Sequence, residues 1–332
     1  MSLHSCLFHL CLWEVRAKST GQLDFRFDSS KGGSFAWEEL RFALDRSVSS
    51  GKVLSMLLAF PLVREKPEID ELYLTAHEAL GVLSARLGYF SLPFSLHSQS
   101  PFNSSPWTIS RSSLDSYFDS LRFFGFDLQK RREIPGHHFS WSFGLGPGTG
   151  DASFQSQSFL PSREALLPAD LPREGDFALY GHIGKEASNS CDSGRLAWHF
   201  SFLWDEGSQR GRRDKMALFD ALFERPLWGV MLQGMLGVSD SPGQGSRDGK
   251  LSFAMAWFDL SDDFRAALRY DHWNLEYDYG GVIDRGHSWT ACMSFEERSG
   301  DLLQLEWRSV KGSKGADSLL GPPWQLRYLL RF

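Results

Sequence analysis

From Arg195 to the C-terminus the chain repeats one pattern: large apolar residues alternate with polar or small ones, in stretches of about ten residues separated by turn residues. "DLLQLEWRSV" (301–310) sets Leu303, Leu305 and Trp307 against Gln304, Glu306 and Arg308. "HSWTACMSF" (287–295) sets Trp289, Ala291, Met293 and Phe295 against Ser288, Thr290, Cys292 and Ser294. "DFRAALRYD" (263–271) sets Phe264, Ala266, Leu268 and Tyr270 against Arg265, Ala267, Arg269 and Asp271. The "HWNLEYDY" that follows alternates with its phase moved by one residue, which predicts a bulge near Asp271–His272. "KLSFAMAWFDL" (250–260) opposes Leu251, Phe253, Met255 and Trp257 to Ser252, Ala254 and Ala256. "RLAWHFSFLW" (195–204) opposes Leu196, Trp198, Phe200, Phe202 and Trp204 to Ala197, His199 and Ser201. The closing "PWQLRYLLRF" (323–332) opposes Trp324, Leu326, Tyr328, Leu330 and Phe332 to Gln325, Arg327 and Arg331, with Leu329 out of phase. A period of two is a β-strand with one apolar and one wet face. About ten residues is the length of a tilted strand that crosses a bilayer. Trp198, Phe200, Trp257, Phe295 and Trp307 are therefore expected to face lipid.

Composition supports strands over helices. Apolar residues make 42% of the 332, aromatics 14%, yet mean hydropathy is −0.29, as when apolar and polar residues alternate throughout. No run of about 18 apolar residues is present, so a helical span is excluded. The net charge of −6 carries no nucleic-acid footprint, and no nucleic-acid partner is expected.

The connections sort by length. "EERSG", "SDD" and "ERP" are tight, whereas 237–250, 278–287 and 310–323 are long, and the two kinds alternate. Membrane barrels do this, with tight turns on the periplasmic side and long loops outside. Further strands read at 22–28, 35–47, 52–62, 70–77, 81–91, 120–129, 138–146, 176–186, 214–224 and 227–237. The fold class is thus all-β, an antiparallel transmembrane barrel of about 16 strands (range 14–18). Residues 21–332 form one domain, and 1–20 read as a truncated or degraded leader. The Ser-, Pro- and Gly-rich segments 92–119 and 147–175 become external loops. Closure removes the sheet edge, whose unpaired groups would cost several kcal/mol each in lipid. A ring of about 16 strands is too wide for side chains alone to fill, so its interior holds water.

Two stretches resemble known proteins. The last ten residues are similar to the C-terminal assembly signal of bacterial outer-membrane proteins, which implies that Tyr328, Leu330 and Phe332 are read by an assembly machinery. "DELYLTAHEALGVLSARLGYFSLPFSLH" (70–97) resembles the phosphate-selective porin family and related porins, through Glu71, Tyr73, Gly88, Pro93 and Phe94. Phosphate selectivity is not carried over, because no basic ladder is visible. The resemblance implies an outer-membrane porin, a passive channel for small hydrophilic solutes or ions, with membrane lipid as partner and a homotrimer as a compatible assembly. Segment 92–119 resembles in position the inward-folded loop of general porins, and its Phe102, Trp107, Ile109 and Tyr117 want a wall to pack on. The pore-lining and constriction candidates are Arg86, Arg111, Asp115, Arg265, Arg269, Glu306, Arg308 and Arg327.

Other motifs carry less. "GLGPGTG" (144–150) lacks the Lys-Ser/Thr ending of a phosphate loop. His137 and His138 are adjacent on a strand and point to opposite faces, so no metal site is assigned. "QRGRRDK" (209–215) reads as a solvated basic loop. Cys6, Cys11, Cys191 and Cys292 match no metal or redox spacing, and no cofactor is expected. A barrel enzyme of phospholipase type, built on His199 and neighbouring Ser residues, and a structural or adhesive barrel are the alternatives to a non-enzymatic channel, with a soluble all-β binding protein after them.

Overall fold

The computed structural model describes residues 17–28, 34–49, 52–61, 68–77, 83–92, 108, 122–150, 177–189, 194–208, 212–241, 245–277, 283–297, 301–312 and 323–331. They form sixteen strands: β1 (Ala17–Asp28), β2 (Ser34–Ser49), β3 (Lys52–Pro61), β4 (Glu68–Ala76), β5 (Ser84–Ser91), β6 (Arg122–Ile134), β7 (His137–Gly150), β8 (Ala178–Asn189), β9 (Gly194–Ser208), β10 (Arg212–Arg225), β11 (Trp228–Ser241), β12 (Gly245–Asp259), β13 (Phe264–Tyr277), β14 (Ile283–Glu296), β15 (Leu302–Gly312) and β16 (Trp324–Arg331). Each pairs antiparallel with its sequence neighbours, and β1 closes on β16 from Gln22↔Arg331 to Asp28↔Gln325. The expected all-β barrel of 16 strands is the fold. β1 takes in Ala17–Thr20, the last residues of the segment read as a leader.

Where side chains are described, exposure alternates along the membrane-height parts of the strands. Leu303, Leu305 and Trp307 are exposed on the outside of β15, while Gln304, Glu306 and Arg308 are buried on its lumen side. Phe200, Trp289 and Met293 likewise face outward. A belt of this kind, apolar and uncovered around a closed sheet, is what hydrocarbon solvates.

Three expectations are corrected. Trp257 does not face lipid: it is 1% exposed, and Leu251, Phe253 and Met255 lie with it on the lumen face of β12, leaving Ser252, Ala254 and Ala256 outside. The reason is register. Asp259 pairs with Arg265 and Phe253 with Asp271, so the polar face of β13 fixes which face of β12 points inward. No bulge forms near Asp271–His272, because both ladders of β13 run without a shift from Phe264 onward. Trp273 keeps the inward phase, and the outward His272, Asn274 and Glu276 belong to the part of the strand above the apolar belt. Residues 237–250 are not one long loop, since β11 and β12 stay paired up to Ser241↔Gly245 and project as a hairpin.

Rings and glycines interlock across the sheet. Gly229 stands opposite Trp257, Gly286 opposite Trp273, Gly144 opposite Tyr180, Gly184 opposite His199 and Gly181 opposite Phe202. A Cβ at any of these glycines would come within 2.0–2.3 Å of the facing ring. Each glycine leaves a hollow that the neighbouring ring fills, the cross-strand pairing that pins register in curved sheets.

Candidate functional site

The candidate site is the inner wall of the barrel. Strands β13–β16 line it with charge because their inward positions are polar in sequence: Arg269 and Asp271 on β13, Ser288 and Thr290 on β14, Gln304, Glu306 and Arg308 on β15, Arg327 on β16. Register stacks them into rows. Arg269 adjoins Thr290, which adjoins Arg308; Cys292 adjoins Glu306, which adjoins Gln325; Gln304 adjoins Arg327.

At the centre, Arg269 Nε donates to Asp271 Oδ2 at 2.8 Å, and both side chains are fully shielded from solvent. Ser288 Oγ donates to the same carboxylate oxygen at 3.2 Å. Arg269 Nη1 donates to Thr108 Oγ1 at 2.7 Å, a contact across 161 positions of sequence. Thr108 belongs to segment 92–119, and it is itself buried. Thr108 therefore meets the inner wall, while the other residues of 93–119 lie outside the described residues.

A second charged group lies on the opposite wall, since β5 and β13 are eight places apart in the ring of sixteen. Arg86 Nη2 donates to Asp127 Oδ2 at 3.0 Å. The guanidinium stacks 3.7 Å from the centre of the Phe90 ring, and Gln129 Nε2 also donates to Asp127. Rings continue from it through Tyr73, Phe90, Phe123 and Tyr180, with centroids 5.0–6.0 Å apart, a spacing that favours edge-to-face contacts. Tyr73 and Gly88, both in the stretch 70–97, are direct cross-strand partners here.

The sequence-derived candidates thus divide. Arg269, Glu306, Arg308 and Arg327 share one wall. Arg86 is not brought to that cluster but is held by Asp127 across the lumen. Arg265 sits by the β12–β13 turn, where Nε donates to Asp259 Oδ1. Arg111, Asp115 and Phe332 lie outside the described residues, as does the side chain of Leu330, whose backbone pairs with Leu23. Tyr328 faces outward, its hydroxyl 3.4 Å from Asp301 Oδ2. Cys292 is buried on the lumen side, with Sγ 3.9 Å from Ser294 Oγ.

Sequence reasoning missed Asp127 and Thr108 as partners, because each is joined to its arginine by pairing or folding that one strand alone does not reveal; Asp271 stands two residues from Arg269 on the same face of β13, so period two alone could have paired them. Sequence reasoning also missed His182. That ring lies 4.9 Å from His199, and its Nδ1 is 2.9 Å from Ser201 Oγ. Among the described residues no group of three His, Cys, Asp or Glu could hold a metal ion.

No family model matches the chain, and no curated protein matches it either. Solved structures do. OmpT of Vibrio cholerae, an outer-membrane protein folded in vitro, superposes with a TM-score of 0.62 at 10% identity over 95% of this chain and 96% of that one. Its trimer form gives 0.56 at 12% identity over 96% and 99%. OmpF of Salmonella typhi, in complex with daunomycin, gives 0.60 at 8% identity over 95% and 97%. An anion-selective porin from Comamonas acidovorans gives 0.59 at 10% identity over 96% and 98%. At these identities the likeness is one of fold: the chain has the fold of bacterial outer-membrane β-barrels, along essentially its whole length.

Proposed function

We propose that the protein is a porin-like channel of the bacterial outer membrane, passing small hydrophilic solutes or ions by diffusion without catalysing a reaction, and that it works as a homotrimer. The observation that carries this reading is the contact of Arg269 with Thr108. It supports a constriction in which segment 92–119 narrows the lumen beside Arg269, Arg308 and Arg327, with Asp271 and Glu306 among them. Charges held on the wall of a narrow, low-dielectric passage focus the field and sort solutes by charge as well as size. Deleting 98–115 and measuring single-channel conductance in planar bilayers tests it. A clear rise is expected; unchanged conductance and ion selectivity would put the segment outside the conduction path.

A hydrolytic barrel has one observation in its favour, the 2.9 Å approach of His182 to Ser201. Acyl transfer also needs donors aimed at a developing oxyanion, and the backbone of β8 and β9 around these residues is engaged in strand pairing. Turnover of a p-nitrophenyl ester that Ser201→Ala abolishes would favour the enzyme over the channel.

The C-terminal resemblance supports recognition of Phe332 by outer-membrane assembly machinery. Deleting Phe332 should lower the yield in the outer membrane while leaving the stability of refolded protein nearly unchanged; normal yield would remove the support for this recognition.

A further inference from the structure

The outer face carries a feature that conduction does not use. Register arranges the outward residues of β12–β15 in three rows near the ends of the strands that carry the longer connections. Nearest the apolar belt, Ala254, Tyr270, Trp289 and Ser309 adjoin in turn. The next row is Ser252, His272, His287 and Lys311. The row beyond is Lys250, Asn274 and Arg285. The rings of Tyr270 and Trp289 lie 4.8 Å apart, and His287 sits 5.9 Å from Tyr270, so the lower row forms an aromatic shelf. Lys250, Arg285 and Lys311 are all exposed, and none forms an ion pair with a described residue. Neighbouring strands are about 4.8 Å apart, so the backbones of Lys250 and Arg285, two strands apart, are separated by about 10 Å. Long Lys and Arg side chains can reach across that distance to one group. The acids Asp248 and Glu276 begin only in the following row, away from the belt, and Glu276 accepts from Asn274 Nδ2 at 2.9 Å.

We propose that this patch binds the phosphorylated head group of a lipid in the outer leaflet, with Lys250, Arg285 and Lys311 holding phosphate and Tyr270 and Trp289 packing on the upper part of its acyl chains. Charge and depth both select this occupant. Aromatic rings sit at the boundary between hydrocarbon and head groups, and a phosphate attached to the lipid must then stand one or two rows above them, where the cations are. Guanidinium and ammonium groups donate charge-assisted hydrogen bonds to phosphate oxygens, and Asn274, Ser252 and the two histidines supply further donors around them. The proposal rests on the barrel lying in an outer membrane but not on conduction.

The test uses the full chain refolded into vesicles of phosphatidylcholine containing a tenth diphosphoryl lipid A, then extracted in mild detergent and weighed by native mass spectrometry. The unaltered protein should retain bound lipid A. The triple variant Lys250→Gln/Arg285→Gln/Lys311→Gln should lose affinity on the order of a hundredfold, since each cation near an anionic lipid contributes about one factor of five. Arg213→Gln/Lys215→Gln, which removes outward cations on β10, should retain lipid A as the unaltered protein does. Heat-modifiable gel mobility confirms that each variant is folded, and single-channel conductance in phosphatidylcholine should not differ between them, so a failure here stays separate from a failure of the channel reading. Equal retention by the triple variant overturns the proposal. So does equal loss in the β10 variant, which would mean diffuse charge, and so does displacement of lipid A by millimolar inorganic phosphate, which would mean a free-anion site.

Discussion

The lumen faces of β10–β12 and of β13–β16 differ in kind. The first is mostly apolar and large, with Asp214, Asp220 and Gln233 as its polar members among Met216, Leu218, Leu222, Met231, Met235, Leu251, Phe253, Met255 and Trp257. The second carries Arg269, Asp271, Glu306, Arg308 and Arg327. Both point away from lipid, so the hydrophobic effect alone does not assign sides in a membrane barrel. A polar residue must leave the hydrocarbon, which fixes the phase of β13–β16. An apolar residue is accepted on either side, so β12 follows its neighbour through a tight turn, and its large side chains end inward, where Trp257 fills the hollow over Gly229.

The largest expected effect lies in the charged half. Arg269→Leu leaves Asp271 buried without its guanidinium and should cost about 3–5 kcal/mol. The double variant Arg269→Leu/Asp271→Leu should recover most of that loss, because both charges are then gone. Across the strand boundary Met255 adjoins Arg269, and Met255→Leu keeps volume and polarity and should cost less than about 1.5 kcal/mol. Urea titration of refolded protein in vesicles measures all three, and a double variant no better than the single one would deny that the pair is what matters.

The outer face comes next. Phe200 is 41% exposed near the middle of β9, on the side opposite His199 and Ser201. Phe200→Arg puts a cation into hydrocarbon and should cost about 2–4 kcal/mol by the same titration. Refolding untouched by that change would mean that β9 has been assigned the wrong face.

How far the sequence carried depends on where the polar residues are. Strand existence was legible throughout, because period two needs no partner to be seen. Phase is legible wherever one parity holds charge, as in Gln304, Glu306 and Arg308, and it is not at β12, where Ser252 and the two alanines have the look of a wet face. The missing information was present in the hairpin: once Arg265, Arg269 and Asp271 are inward, pairing through the tight turn puts Trp257, Met255 and Phe253 inward as well. The phase change after Asp271 was misread because His272, Asn274 and Glu276 look like a lumen face, while they stand above the belt where an outward polar residue meets water. Two partners of the site were beyond reach, since Arg269 meets Thr108 across 161 positions and Arg86 meets Asp127 across 41. The second is set by the register of β5 on β6 across a long connection, the first by where Thr108 meets the wall, and no local spacing encodes either.

The smallest effects give the finest discrimination between inside and outside, because β11 carries a glycine on each face. Gly229 is buried on the lumen side, and a Cβ there would stand 2.1 Å from Cζ2 of Trp257. That indole is packed and 1% exposed, so it has little room to withdraw. Gly229→Ala should therefore cost about 1–3 kcal/mol, the usual penalty for overfilling a packed interior. Gly234 lies on the outer face between Phe219 and Ser252, and a Cβ there would meet nothing within 4 Å. Its φ is not in the left-handed region, so alanine is accepted without backbone strain. Gly234→Ala should leave stability unchanged or raise it by about 0.5–1 kcal/mol, because alanine has less conformational freedom to lose on folding. The two substitutions add the same methyl group to the same strand, five residues apart, and differ in the side they face. Measured together in vesicles by urea midpoint, a loss at Gly229 and none at Gly234 is expected; a loss at Gly234 as large as that at Gly229 would mean that β11 is packed on both faces, and that its outer face is covered by protein instead of lipid.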